Sequence, residues 1–209
     1  IALGLRQILD CLREQAPALR LIVPHKGWLF TSPTGTAGGN PNASGNAVIF
    51  GSRDPAKGKW QVINTPGFGR AGNIGVFEMI GCGDYLYAGT ANPDGYEVWR
   101  AQVEDEAPFR WECVVERGAW RGPLNQGVAS LCVHNGLVYV GSGIQHGGID
   151  RANGIGPAGP ELIRIHEDGH WDLVHHQKPW LPWTALAAEG ARSAAPVSYW
   201  RQYLRMWRG

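Results

Sequence analysis

The residues best suited to chemistry sit in glycine-rich stretches. Gly143-Ile144-Gln145-His146-Gly147-Gly148-Ile149-Asp150-Arg151-Ala152-Asn153-Gly154 is the densest of them. Its His146, Asp150, Arg151 and Asn153 can hydrogen-bond a sugar or an anion. Asn92 and Asp94 offer the same groups in an earlier loop, and Arg70 and Trp120 lie in two further ones. An indole face that stacks on a sugar ring, beside polar side chains that read its hydroxyls, is how carbohydrate sites are built. The same types also suit solvated loops in which Asp and Asn close local turns.

Other chemistries find less support. His166, His170, His175 and His176 cluster in sequence, and a two-histidine site with Asp168 is conceivable. Adjacent His175 and His176 would point to opposite faces of a strand, so solvated histidines are the expectation and no metal is assigned. Gly154-Ile155-Gly156 lacks the βαβ setting of a dinucleotide site. Neither a nucleophile elbow, a phosphate-binding loop nor a zinc-protease helix motif occurs. No cofactor is implied.

Composition bounds the fold. Of 209 residues, 44% are hydrophobic and 18% charged, enough apolar material for a core. A net charge of +1 argues against nucleic acid or a membrane surface recognised through bulk charge. No apolar run approaches the ~18 residues of a spanning helix. Cys11, Cys82, Cys113 and Cys132 form no Cys-x-x-Cys pair, so buried free thiols are expected rather than a disulfide framework or a zinc site. No leader-type segment opens the sequence, and the compartment is left open. Asn42-Ala43-Ser44 is a formal glycosylation triplet that matters only in a secretory setting.

The elements that must position these residues recur. Thirty glycines and ten tryptophans suggest short strands joined by tight turns. An apolar strand (Leu19–Val23, Ile74–Ile80, Val128–Val133) is followed each time by a polar turn and a second strand (Trp28–Phe30, Tyr85–Thr90, Leu137–Ser142). A glycine-rich loop leads to a third strand (Ala47–Gly51, Tyr96–Arg100, Glu161–His166), and a turn leads to a fourth, opened by Trp60, Trp111 or Trp171. Four short antiparallel strands repeating every ~40–55 residues mark a propeller blade. A β-sandwich of similar hairpins is the alternative, but it needs neither the fourfold pattern nor a repeated Trp.

The turn before each Trp-led strand resembles the Asp box of sialidase-like (BNR-repeat) β-propellers, which reads Ser-x-Asp-x-Gly-x-x-Trp. The first repeat has Ser52-Arg53-Asp54-Pro55-Ala56-Lys57-Gly58-Lys59-Trp60, with the glycine displaced by two residues. The third keeps Asp168-Gly169-His170-Trp171, and the second keeps Trp111 alone after a longer turn. Kelch-like propellers are similar at this level. The resemblance covers roughly residues 19 to 176 and implies a scaffold role: Asp54 and Asp168 accept backbone N–H bonds, Gly58 and Gly169 adopt left-handed conformations, and the tryptophans pack between blades. A sialidase-like enzyme would also need an arginine triad, a Tyr–Glu pair and an acid/base Asp, and no residue here is assignable to those roles by motif.

The expected organisation is therefore an all-β propeller of four-stranded blades at 19–66, 74–116 and 127–176, with a partial or degenerate further one. Leu5, Ile8, Leu9 and Leu12 predict an amphipathic helix within residues 1–18. Residues 177–209 read as an irregular segment in which Tyr203–Gly209 resembles the start of another blade. Three blades do not close a ring, so the expectation is a fragment, a small four-bladed ring, or an assembly completed by further blades or a partner chain. All the long connections should fall on one face. The function expected is binding of a protein partner or glycan there, rather than catalysis. A glycosidase-like hydrolase with carboxylates at the channel, and a structural subunit of a larger assembly, are the alternatives.

Overall fold

A computed structural model describes residues 3–4, 19–33, 47–144 and 148–176. All of its regular elements there are strands and short 3-10 turns, and neighbouring strands run antiparallel. No described helix is long and apolar enough to cross a membrane.

A two-residue strand, β1 (Leu3–Gly4), pairs with β5 at Trp60 and Lys59. These two residues are thus extended, and the remainder of the helix predicted within residues 1–18 lies outside the described residues. Three meanders follow. The first contains β2 (Leu19–His25), β3 (Trp28–Pro33), β4 (Phe50–Ser52) and β5 (Lys59–Val62). The second contains β6 (Gly75–Cys82), β7 (Tyr85–Ala91), β8 (Val98–Gln102) and β9 (Trp111–Val115). The third contains β10 (Gly127–His134), β11 (Leu137–Gly143), β12 (Glu161–Ile165) and β13 (Trp171–His176). The second and third are joined by one pairing, Gly127 with Ala91, so they form one continuous curled sheet.

The repeat extends below the level of strands. The opening strand of every meander carries a bulge at the same place: after Leu19, after Val76 and after Val128. A bulge adds twist and bends the strand toward its neighbours. The hairpin after β2 turns at Lys26 (φ 46°) and Gly27 (φ 76°), and that after β10 at Asn135 (φ 51°) and Gly136 (φ 76°). Two consecutive positive φ values are what a two-residue hairpin of matching twist requires.

Strand alternation gives each meander two apolar faces, and stacking buries them in pairs. The leading face of the second meander (Met79, Leu86, Ala88, Trp99, Ala101) packs on Trp28, Phe30, Ile49 and Ile63 of the first. Its trailing face (Tyr87, Val98, Val115) packs on Val128, Val138, Val140, Ile163 and Ile165 of the third. Each large apolar side chain enclosed in this way stabilises by about 1.5–3 kcal/mol. Glycine permits the closest approaches: a Cβ built on Gly81 would lie 2.2 Å from the His25 ring, and one on Gly89 would lie 2.7 Å from three carbons of Val128.

At the end carrying the tight turns, each joint is also latched by polar contacts. Trp28 Nε1 donates to the Glu104 carbonyl at 3.0 Å, and Arg53 reaches the Asp105 carboxylate. One meander further on, Arg100 donates to the Glu167 carbonyl at 2.6 Å while its Nε donates to Glu112. Gly169 leaves room for that guanidinium, because a Cβ there would sit 3.0 Å from Arg100 Nη2.

Gly89→Ala should lower unfolding stability by about 1–3 kcal/mol, since Val128 is branched and cannot swing its own Cβ away. Gly143→Ala, whose Cβ would meet its nearest neighbour only at 4.0 Å, should be close to neutral. Urea melts of the two variants compare them directly.

Candidate functional site

The described parts of the long connections lie at the other end of the sheets, and backbone hydrogen bonds tie them together. Gly67 N–H donates to the Ala47 carbonyl, Asn92 N–H to Gln126, Tyr96 N–H to Asn125, and Gly118 N–H to Tyr96, all between 2.8 and 2.9 Å. Each bond joins a connection within one meander to the connection that enters or leaves the next.

Beneath these connections lie two buried carboxylates at equivalent places, each opening or preceding the third strand of its meander. Glu97 accepts from Arg70 Nη1 at 2.5 Å, Asn73 Nδ2 at 2.6 Å and Trp99 Nε1 at 2.8 Å. Glu161 accepts from Asn125 Nδ2 at 2.9 Å and has Arg121 Nη1 at 3.7 Å. The Arg121 and Glu161 side chains are 3% and 1% exposed. Charges so deeply enclosed persist only when paired and hydrogen-bonded. Asn73 Oδ1 receives Thr90 and Asn92, whereas buried Asn125 Oδ1 and Ser142 Oγ have no hydrogen-bond partner in the described structure.

Backbone conformation delivers the two arginines. Gly67, Phe68 and Gly69 have φ of 65°, 55° and 79°, and Arg70 follows. Arg117, Gly118, Ala119 and Trp120 have φ of 52°, 58°, 52° and 66°, and Arg121 follows. A left-handed run of this kind costs about 1–2 kcal/mol for each residue bearing a Cβ. It persists where surrounding contacts over-determine it. Here Asn73 and Asn125 close the two loops by donating to the Gly67 and Gly118 carbonyls at 3.0 Å. The sequence carried a sign of this pair that the strand pattern did not use: Gly-x-x-Arg followed by Asn occurs before both β6 and β10.

The residues proposed for ligand binding divide into two kinds. Asn92 is buried, with its amide engaged by Asn73 and the Asp94 N–H. Asp150 accepts from Asn153 and Gln126, and those bonds hold its carboxyl below the ordinary range. Asp150 and Asn153 therefore close a turn, paired across Asp150 and Ile155. Asp94, Arg151 and Asn153 are exposed. Trp120 is 40% exposed, an unusual placement for a large indole in a left-handed turn. The chain Asn92–Gln126–Asp150 brings these three loops to one rim. His146 lies outside the described residues.

The turn residues are placed as follows. Gly58 (φ 68°) and Gly169 (φ 86°) are left-handed. Asp168 accepts the His170 N–H at 2.9 Å. Asp54 departs from its expected role: it makes no side-chain cap, and its carboxylate pairs with the Lys57 ammonium at 2.9 Å. The Lys57 N–H is already spent on the Asp54 carbonyl. Trp111 donates to the Ile63 carbonyl of the first meander and meets Phe68 edge-on at 5.1 Å, so it spans a joint. Trp171 packs on the second core, and Trp60 is half-buried, its Nε1 without a hydrogen-bond partner among the described residues.

The His166 and His170 rings come within 5.7 Å of each other, centroid to centroid. His166 turns to Asp172 at 3.2 Å rather than to Asp168, while His175 is exposed. No group of three or more His, Cys, Asp or Glu suited to a metal occurs among the described residues. Among the cysteines expected to be buried, Cys113 is half-buried and burial pushes its thiol up to about 12. Cys132 is exposed, a departure from that expectation.

No family model matches the chain, and no curated protein matches its sequence. Among solved structures the chain is similar to a luciferin-regenerating enzyme, at 11% identity and a TM-score of 0.46. The match covers 78% of this chain and 47% of that one, so the chain spans about half the length of that protein.

Two outcomes are expected. Arg121→Met should cost about 3–5 kcal/mol, because it removes the guanidinium beside the buried Glu161 carboxylate, and Arg121→Met combined with Glu161→Met should recover part of that loss. A chemical-denaturation cycle measures the coupling. Trp120→Gly should be more stable than Trp120→Ala by about 1 kcal/mol, reversing the usual order, because only glycine adopts φ near 66° without strain.

Proposed function

We propose that the three meanders are consecutive blades of a β-propeller and that the chain binds a glycan at its long-connection end. The faces are buried in sequence, leading onto trailing, as blades are. The Asp168-Gly169 turn keeps the arrangement that an Asp box uses. Sialidase-like and kelch-like membership both remain resemblances of the repeat alone.

The observation that carries the binding reading is Trp120. A 40%-exposed indole held in a conformation costly to any L-residue is hard to explain by packing alone. The hydrogen-bonded loops of this end also carry exposed Asp94, Arg117, Arg151 and Asn153. One aromatic platform amid hydrogen-bonding side chains suits a sugar better than a protein partner, whose binding surface needs an apolar centre. Glu97 and Glu161 are turned onto the arginine and asparagine of their own sets, so they belong to the scaffold under this rim.

The test is glycan-array screening, followed by titration of the best sugar. Wild-type chain should bind, and Trp120→Gly should weaken that binding at least tenfold while keeping its melting temperature at or above that of Trp120→Ala. Binding that survives the loss of the indole, or a wild-type chain that takes up no glycan, would overturn the reading.

A further inference from the structure

We propose that His166 and His170 form a binding site for one divalent transition-metal ion, copper(II) or zinc(II), at the turn between β12 and β13. The site is separate from Trp120 and does not rest on the glycan reading.

Strand register brings the two rings together. The last ladder pair of the hairpin is Ile165 with Trp171, so His166 and His170 are the next residues outward on the two strands. Two backbone bonds close the turn: His166 N–H donates to the His170 carbonyl at 2.8 Å, and Gly169 N–H donates to the His166 carbonyl at 3.0 Å. Residues directly opposite each other in a hairpin project to one face. The ring centroids are 5.7 Å apart, with the ring planes 33° from parallel. Two imidazoles bound to one ion at about 2.0–2.1 Å hold their centroids roughly 4.5–6.4 Å apart, as the N–metal–N angle opens from about 90° to about 180°. The observed spacing lies inside that range, so rotation of the rings alone can aim both nitrogens at one ion.

A second observation selects the nitrogen. His166 Nε2 lies 3.2 Å from Asp172 Oδ1. Arg164 donates to both Asp172 oxygens, and those bonds hold the Asp172 carboxyl below its ordinary range. An ionised carboxylate only accepts, so Nε2 is the nitrogen that carries the proton. The lone pair of the neutral ring is then on Nδ1. A carboxylate on the far nitrogen fixes the tautomer of a histidine and raises its basicity, as it does for imidazoles that ligate metals.

The turn is also held from outside. Arg100 of β8 donates to the Glu167 carbonyl at 2.6 Å, and Asp168 accepts the His170 N–H at 2.9 Å. A frame already in place has less freedom to lose when an ion binds. His170 is exposed and His166 half-buried, so an ion reaches them from solvent. Two imidazoles leave the other coordination positions to water. Imidazole nitrogen suits copper(II) and zinc(II), whereas calcium takes oxygen ligands.

The experiment is titration calorimetry of the full chain with copper(II), zinc(II) and calcium chlorides, beside His166→Ala, His170→Ala, Asp172→Asn and the exposed control His175→Ala. Wild type should take up copper(II) at this site with a Kd of about 10 μM or tighter, zinc(II) more weakly, and no calcium. His166→Ala and His170→Ala should each lose one bound copper(II), and His175→Ala should keep it. Asp172→Asn should weaken binding about tenfold. The loss is counted against wild type, so ions held elsewhere on the chain cancel. Long-range proton–nitrogen NMR of the zinc-loaded wild type should show His166 ligated through Nδ1 with Nε2 still protonated, a readout that needs no variant to fold. Copper uptake unchanged in any of those three variants, ligation of His166 through Nε2, or a wild type that takes up no copper would overturn the proposal. Metal-free melting temperatures equal to that of wild type exclude misfolding of the variants.

Discussion

Two carboxylates sealed inside an all-β chain dictate much of its architecture. Glu97 and Glu161 stand where their strands enter the sheet, and leaving either charged and unpaired would cost several kcal/mol. The chain meets that demand with an arginine and an asparagine carried by the connection just before β6 and β10. The backbone that brings them in passes through left-handed turns, whose strain is offset by the asparagine bonds that close them and by the acids that accept their donors. The two connections that carry these residues are thereby anchored at one end of the sheets.

Stacking then follows from strand alternation. Tyr87 and Leu86 are neighbours in sequence yet belong to different cores, one shared with the third meander and one with the first. The opening-strand bulge repeats in all three meanders, so each adds the same bend. The tight-turn end is held more loosely, by Arg53 and Arg100 reaching carbonyls of the next turn, and by a Lys26–Asp84 ion pair across the first joint. Exposed pairs of that last kind contribute little.

Much of the strand plan was legible in the sequence because period-2 alternation and repeated tryptophans survive in each meander. The first two strands of each repeat fall within two or three residues of those expected. The extended Leu3–Gly4 was not legible, since Leu5–Leu12 carries a helical spacing and strand pairing is a tertiary effect. The Asp54–Lys57 pair was not legible, because the box motif says nothing of Lys57, whose ammonium takes the carboxylate. The acid–arginine–asparagine sets were missed for a different reason. Glu97 and Glu161 are single charges in apolar surroundings, and the signal lay in the recurrence of Gly-x-x-Arg-…-Asn rather than in any strand. Nothing in the residue types announces a left-handed Trp120 or Ala119, because side chains there are disfavoured and are kept only by the fold around them.

The central claim is that neighbouring meanders are stacked and bonded through their connections. Native-state hydrogen exchange tests it most directly at Asn92, Tyr96, Phe109 and Gly118, whose amides donate across the joints and outside any strand ladder. The account predicts that these four exchange as slowly as the amides of β7 and β11, through global unfolding alone. Exchange at the rate of an open loop, with β7 and β11 still protected, would contradict it.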